Sequence, residues 1–396
     1  MGALGASKQS AAPSYGADLY ARAALLDPYP HYKRIRDTGP AVWLPKRKLW
    51  AIARFEDIRL ALRAADKLVS GKGVAANKLV NDLKNEITLT ADGADHQRRR
   101  MTLIKPLTPG PLKDLTQRIQ TEADNLVARL KKGGTFDAMA TFAAHLPVSI
   151  VADLVGLKPE GRENMLRWAA NTFEALGPMN WRTLRALPAL LDLQRYVKTL
   201  SRANVVPGGW ADQIFAAADA GTLSRREAKS MIIDYVAPSL DTTILATGNM
   251  LQYLAQNPQV FAAIKNDNAL IANAVYESVR LASPIRGFTR FAAEDFELGG
   301  VTIPKGARAL VLFASGNRDE RKYANPDAFD VTRNARDNVA WGHGPHVCVG
   351  MHLARLEMEC LLRALVQQVD RIEVGEPVPF LNNVLQGFKS LPATFH

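Results

Sequence analysis

One loop constrains this chain more than its length does. Trp341 to Gly350 reads WGHGPHVCVG, and MHLARLEMECLLRALVQQV follows at once. Leucines at helical spacing make that second stretch a helix. Cys348 therefore sits in a glycine-rich loop at a helix N-terminus, where the dipole and free N–H groups favour a thiolate. Gly344 and Gly350 have no Cβ, so a large flat ligand has room to approach the backbone. The second cysteine, Cys360, falls inside the apolar helix and reads as core packing. Two cysteines exclude a disulfide scaffold and any all-cysteine zinc or iron–sulfur site. Cys348 is then either a lone thiolate ligand or a structural residue in a tight turn.

The rest of the chain is mostly helical in texture. From Phe55 to about Leu281 apolar residues recur at helical spacing, with breaks at Gly71/Gly73, Pro106/Pro109, Gly133-Gly134, Gly177-Pro178 and Pro207-Gly208-Gly209. Residues 41–53, AVWLPKRKLWAIA, predict a hairpin around a basic turn. After Ser283-Pro284, FELGGVTIPKGARALVLF carries two turn signals between β-branched runs. The expected class is mainly α with a minor β region. Residues 1–26 are expected to form a frayed N-terminal segment and 27–396 a single domain. No run of 18 apolar residues occurs, and the start lacks the apolar core of a signal peptide, so a cytoplasmic protein is expected.

Lys plus Arg number 50 against 39 Asp plus Glu, a net charge of +11. Such an excess serves solubility or favours an anionic partner. The densest run, Arg98-Arg99-Arg100, is too short for a nucleic-acid tail, and no zinc-finger, helix-turn-helix or RNP pattern appears. Neither a nucleic-acid nor a membrane partner is expected.

A single thiolate suits haem iron, to which it donates electron density. The loop resembles the haem-binding signature of the cytochrome P450 family, with Trp341 where that family usually has Phe. The resemblance implies a helical prism around haem b, with Cys348 as the iron ligand and Trp341, Gly342 and Gly350 beside the cofactor. Three more motifs follow the family order. His96 and Arg100, four apart on a predicted helix, resemble the pair that holds haem propionates; Arg290 and His346 match the remaining propionate donors. Guanidinium groups suit carboxylates. Glu277 and Arg280 resemble the family's buried E-x-x-R, and Arg333 fits its later arginine. Asp241-Thr242 resembles the acid–alcohol pair that delivers protons to dioxygen, general-acid work by positioned groups. Alone, each has a bland reading: exposed charges, a surface ion pair, a Thr tucked into a helix.

One departure concerns the helix expected around MIIDYVAPSLDTTILATGNMLQYLA. Pro238 stands inside it, where a proline removes an N–H and clashes with the carbonyl of Asp234. Ser239 is expected to add a hydroxyl beside the haem.

A finer resemblance concerns substrate. Gly161-Arg-Glu-Asn-Met, Thr172 to Pro178, Pro207-Gly-Gly-Trp and Asn382 to Gly387 look like bacterial members that oxidise para-substituted benzoates, including O-demethylation. Those members hold the carboxylate from the loop before the His96 helix and from the oxygen-groove helix. Here that loop reads Ser70-Gly71-Lys72-Gly73, with Lys72 at the basic position and Arg286 as a substitute; Asp234 and Ala237 stand where serines are expected. The expected apolar pocket is Phe173, Leu176, Ala237, Leu240, Ile285, Phe288 and Leu385. A para-substituted benzoate or cinnamate is the expected substrate; a neutral phenol, methoxyarene or terpenoid-like molecule is the alternative. The resemblance implies O2 as co-substrate and a separate acidic ferredoxin with its NAD(P)H-dependent reductase, steered by Arg98, Arg99, His352 and Arg355. A haem-thiolate peroxygenase or a haem sensor needs no acid–alcohol pair, so Asp241-Thr242 argues against both.

Overall fold

The computed structural model describes residues 12–83 and 86–396. The aromatic hairpin forms as expected: Val42–Leu44 and Leu49–Ile52 pair antiparallel, and Trp43 sits opposite Trp50. Leu49–Ile52 then runs parallel to Arg308–Val311, which pairs antiparallel with Phe288–Ala292, and Leu68–Val69 closes the edge. A parallel pair needs a long crossover; here almost the whole helical body lies between the two strands. FELGGVTIP gives the antiparallel pair Phe296–Leu298 and Val301–Ile303.

The frayed N-terminal segment is a correction for residues 12–26; residues 1–11 lie outside the described residues. Tyr15 N–H donates to the Trp43 carbonyl at 2.9 Å, and Trp43 N–H donates to the Pro13 carbonyl at 2.7 Å. Asp18 pairs with Arg47 of the hairpin turn, and Arg22–Leu26 is a short helix. The segment is ordered because it supplies backbone partners to the hairpin's outer edge, which no other strand among the described residues covers.

The helical body buries one large apolar cluster, in which Asp241–Gln256 is the central rod and Pro109–Lys132, Ile271–Ala282 and Met351–Gln368 pack nearby. Cys360 is buried in it. The single long helix expected around Pro238 is a second correction. Arg225–Val236 and Asp241–Gln256 are separate helices, with residues 237–240 irregular between them. The proline explains the break, since it supplies no N–H to continue the ladder. Among the described residues no helix is long and apolar enough to cross a membrane.

Glu277 and Arg280 bind each other twice, Nε to Oε2 at 2.7 Å and Nη2 to Oε1 at 2.8 Å, both fully buried. Arg333 Nε lies 2.9 Å from the same carboxylate, and Asp330 N–H donates to it. Arg280 Nη1 also donates to the carbonyls of Asn317 and Pro326. A buried charge needs this many partners. The network fixes the irregular 317–333 segment, and with it the approach to the cysteine loop, against the Ile271–Ala282 helix.

Candidate functional site

Between the central helix and the sheet lies one cavity of about 750 Å³. The cysteine loop forms its floor. Cys348 N–H donates to the Trp341 carbonyl at 2.8 Å and Val347 N–H to that of Gly344 at 3.1 Å, so the loop closes on itself and turns the sulfur inward. Burial pushes the Cys348 thiol up; the backbone N–H groups of Gly350 and Met351, with the Arg100 charge, oppose this. Trp341 and Gly342 line the cavity, whereas Gly350 does not: it contributes its N–H to the sulfur. The freedom expected at Gly344 also has another cause. It has φ of +69°, and a Cβ there would lie 2.5 Å from the Leu62 carbonyl, so helix packing demands glycine.

His96, Arg100, Arg290 and His346 meet on the same cavity. Gly93–Ile104 carries the first two on one face, and Phe288–Ala292 carries Arg290. The imidazoles of His96 and His346 lie against each other, centroids 4.1 Å apart and planes tilted by 43°. Burial lowers all four groups. It brings Arg290 to about 10 and His346 to about 3, the latter helped by Arg290, His96 and Arg100. The nearby anion is Asp92, whose Oδ1 lies 4.0 Å from His346 Nε2. Arg100 has no ion-pair partner among the described residues. A buried cationic cluster short of anions, beside an apolar space with a sulfur on its floor, fits a flat apolar group that carries two carboxylates and a metal ion. Haem is such a group. Cys348 would hold its iron and these four residues its propionates.

Asp241 and Thr242 begin the central helix at the irregular break. Thr242 lines the cavity and donates to the Pro238 carbonyl at 3.0 Å. Asp241 is not on the lining; its Oδ2 is buried with no hydrogen-bond partner, and burial pushes the carboxyl up to about 7. It therefore takes up and releases a proton around neutral pH. Ser239 is a correction: its hydroxyl bonds the Tyr235 carbonyl, and the residue does not line the cavity.

Of the expected substrate residues, Lys72, Phe173, Leu176, Ala237, Ile285 and Phe288 line the cavity. Phe173 and Phe288 lie parallel, with centroids 6.4 Å apart. Four do not line it. Ser70 is buried behind its turn, Leu240 is in the core, and Leu385 pairs with Ile285 across a β-bridge. Arg286 follows Ile285 in an extended segment, where successive side chains point to opposite sides. With Ile285 on the cavity, Arg286 turns outward and donates to the carbonyls of Leu25 and Leu385. Asp234 does line the cavity; its carboxylate accepts from Thr88 N–H at 2.8 Å, and burial raises it to about 6. The cations expected to steer a ferredoxin have carboxylate partners of their own. Arg98 and Arg99 both bind Glu227, and Arg355 binds Glu359.

Several lining residues were not anticipated: Ile87, Leu190, Leu193, Gln194 and Ile233. Leu190 and Leu193 lie on the buried stripe of Trp181–Thr199, which the helical period marks as inward but not as ligand-facing.

Residues 209–386 match the family model described as Cytochrome P450. The chain is 36% identical to cytochrome p450 CYP199A2 of Rhodopseudomonas palustris, over 96% of this chain and 94% of that one. It is 28% identical to linalool 8-monooxygenase of Pseudomonas putida, over 94% and 96%. Among solved structures, the Mycobacterium marinum cytochrome P450 CYP268A2 in complex with pseudoionone superposes with a TM-score of 0.87 at 27% identity, covering 98% of this chain and all of that one.

Proposed function

Since the chain belongs to the cytochrome P450 family and is a monooxygenase of it, we propose that its substrate is a small aromatic acid, a para-substituted benzoate or cinnamate. Haem b, bound by a cysteine thiolate, supplies the activation of O2 in this family. The chain's own residues then have divided tasks. His96, Arg100, Arg290 and His346 hold the cofactor's carboxylates. Thr242 offers a hydroxyl on the cavity wall, and Asp241 behind it stores a proton. Phe173, Leu176, Ile285 and Phe288 exclude water and enclose a flat ring.

Lys72 carries the reading. It is an exposed cation at the cavity wall with no ion-pair partner among the described residues. A carboxylate leaving water needs such a partner. Electrons are proposed to come from an acidic ferredoxin and its NAD(P)H-dependent reductase. The net charge of +11 supports steering of that kind; Arg98, Arg99 and Arg355 are already occupied by carboxylates.

Asp234 favours a second reading, a neutral phenol, methoxyarene or terpenoid-like substrate, because its carboxyl stands on the same wall. One of the similar proteins is named linalool 8-monooxygenase, and another was solved in complex with pseudoionone. Titration of the haem spin state with 4-methoxybenzoate and with neutral 4-methylanisole separates the readings. The acid is expected to bind about tenfold more tightly, with Lys72→Met abolishing the difference. Equal or tighter binding of the neutral ligand, unchanged in Lys72→Met, selects the second reading.

A further inference from the structure

Lys72 is the third residue of a turn that is held from both sides. On one side stands Asp92. Its Oδ1 accepts Ser70 N–H at 2.9 Å and its Oδ2 accepts Gly71 N–H at 2.7 Å. Asp92 occupies the N-cap position of Gly93–Ile104 yet makes no side-chain cap bond there. An aspartate in that place ordinarily satisfies the helix's own first N–H groups; here both oxygens go to the turn. The approach is close enough to specify the neighbour: a Cβ on Gly71 would lie 2.5 Å from Asp92 Oδ2.

On the other side stands Arg308, from the strand Arg308–Val311. Its Nη1 donates to the Gly73 carbonyl at 2.8 Å and to Thr289 Oγ1 at 3.2 Å, and its Nη2 donates to the Lys72 carbonyl. The turn closes internally through Gly73 N–H to the Ser70 carbonyl at 2.8 Å. Thus the two N–H groups at its start meet an anion and the two carbonyls at its end meet a cation. Charge-assisted hydrogen bonds of this kind are roughly twice as strong as neutral ones. Four in one short turn leave its backbone little freedom, and the residue between the clamps is Lys72.

Asp92 has a second set of neighbours. Its carboxylate faces His346, 4.0 Å away, and its charge acts on Arg290 and His96. One side chain therefore touches the substrate turn and borders the cationic cluster that fits the cofactor's carboxylates.

We propose that Asp92 and Arg308 are positioning residues for Lys72: they fix the Ser70–Gly73 turn so that the cation faces the cavity. This assignment of what the clamp is for rests on the aromatic-acid reading above.

The test uses haem-loaded enzyme and two measurements. The first is amide hydrogen exchange across residues 70–76 in wild type, Asp92→Asn and Arg308→Gln. The second is spin-state titration with 4-methoxybenzoate and 4-methylanisole in each variant, alone and combined with Lys72→Met. Exchange in the turn is expected to rise at least about tenfold in each variant, because charged clamps are lost. Affinity for the acid is expected to fall by a similar factor with the neutral ligand unaffected, and the fall should vanish in the Lys72→Met background. Exchange at wild-type rates in both variants overturns the clamp. A loss of acid affinity that persists undiminished in Lys72→Met overturns the positioning of Lys72. Should Asp92→Asn load haem poorly, Arg308→Gln, on the far side of the turn, carries the same two readouts. If wild type does not prefer the acid, the aromatic-acid reading fails, and the exchange rates alone decide whether the turn is clamped.

Discussion

Asp241 is a carboxyl at the start of a helix that has nothing to bond. An ordinary aspartate ionises near about 4, and burial raises this one to about 7. The fold thus binds the proton more tightly than the unfolded chain does. Its contribution to stability is complete below pH ~4 and is lost as pH rises towards the folded value. Asp241→Asn cannot ionise, so its unfolding temperature should fall less than that of wild type between about pH 5 and 8. In the function proposed above, the same proton is the one delivered to the chemistry. Product formed per NADH oxidised should decline above about pH 7 in wild type, whereas Asp241→Asn should be low and flat. A pH profile of coupling identical in the two proteins would remove Asp241 from the proton route. Its neighbours show how much of a site a linear pattern can convey. Cys348, His96, Arg100 and Arg290 are picked out by the resemblance to family motifs, and the structure sets all four on one cavity. Arg286 and Leu385 do not reach it, since one step along an extended segment exchanges the cavity for the packed interior behind it. Ser70 was misplaced because a turn's backbone, not its hydroxyl, meets the neighbouring charge.

Elements were read more securely than the joints between them. The aromatic hairpin, the late β pairs and the helix after Cys348 stand where periodicity put them. The joint at 237–240 reads in the sequence as a helix with a proline inside it, not as a break: both flanks are apolar and helical, and the pattern runs across Pro238 without a change of period. Only the chemistry of proline marks the joint. The Ile271–Ala282 helix is the converse case, because the sequence signal at Glu277 and Arg280 is a common surface pair yet the structure buries both completely. Their worth follows from that burial. Glu277→Ala leaves Arg280 and Arg333 without their carboxylate, a loss of about 3–5 kcal/mol for a broken buried pair. Chemical denaturation should show a destabilisation of that order together with weaker haem retention, since the segment it anchors leads to the cysteine loop. A change below about 1 kcal/mol, the range of exposed pairs, would mean that water reaches the network.

At the scale of the whole molecule, cofactor and fold support each other. Two guanidinium groups, Arg100 and Arg290, stand beside two imidazoles that burial keeps neutral, with Asp92 as the nearby anion, and two carboxylates would pair those charges. A ligand that binds only the folded state stabilises it by mass action. Haem should therefore raise the unfolding temperature, and iron protoporphyrin dimethyl ester, which lacks both charges, should raise it far less. Equal stabilisation by the two would assign the cluster another role. The crossover described above also sets an order of events. The hairpin at 42–52 finds its parallel neighbour only when residues 308–311 exist, and the sulfur arrives later still at 348. During synthesis, at roughly 5–20 residues per second, the nascent chain spends most of its time with a helical body that has no floor. Haem capture is thus a late event, and a chain cut short before Cys348 has helices to fold but nothing to hold iron.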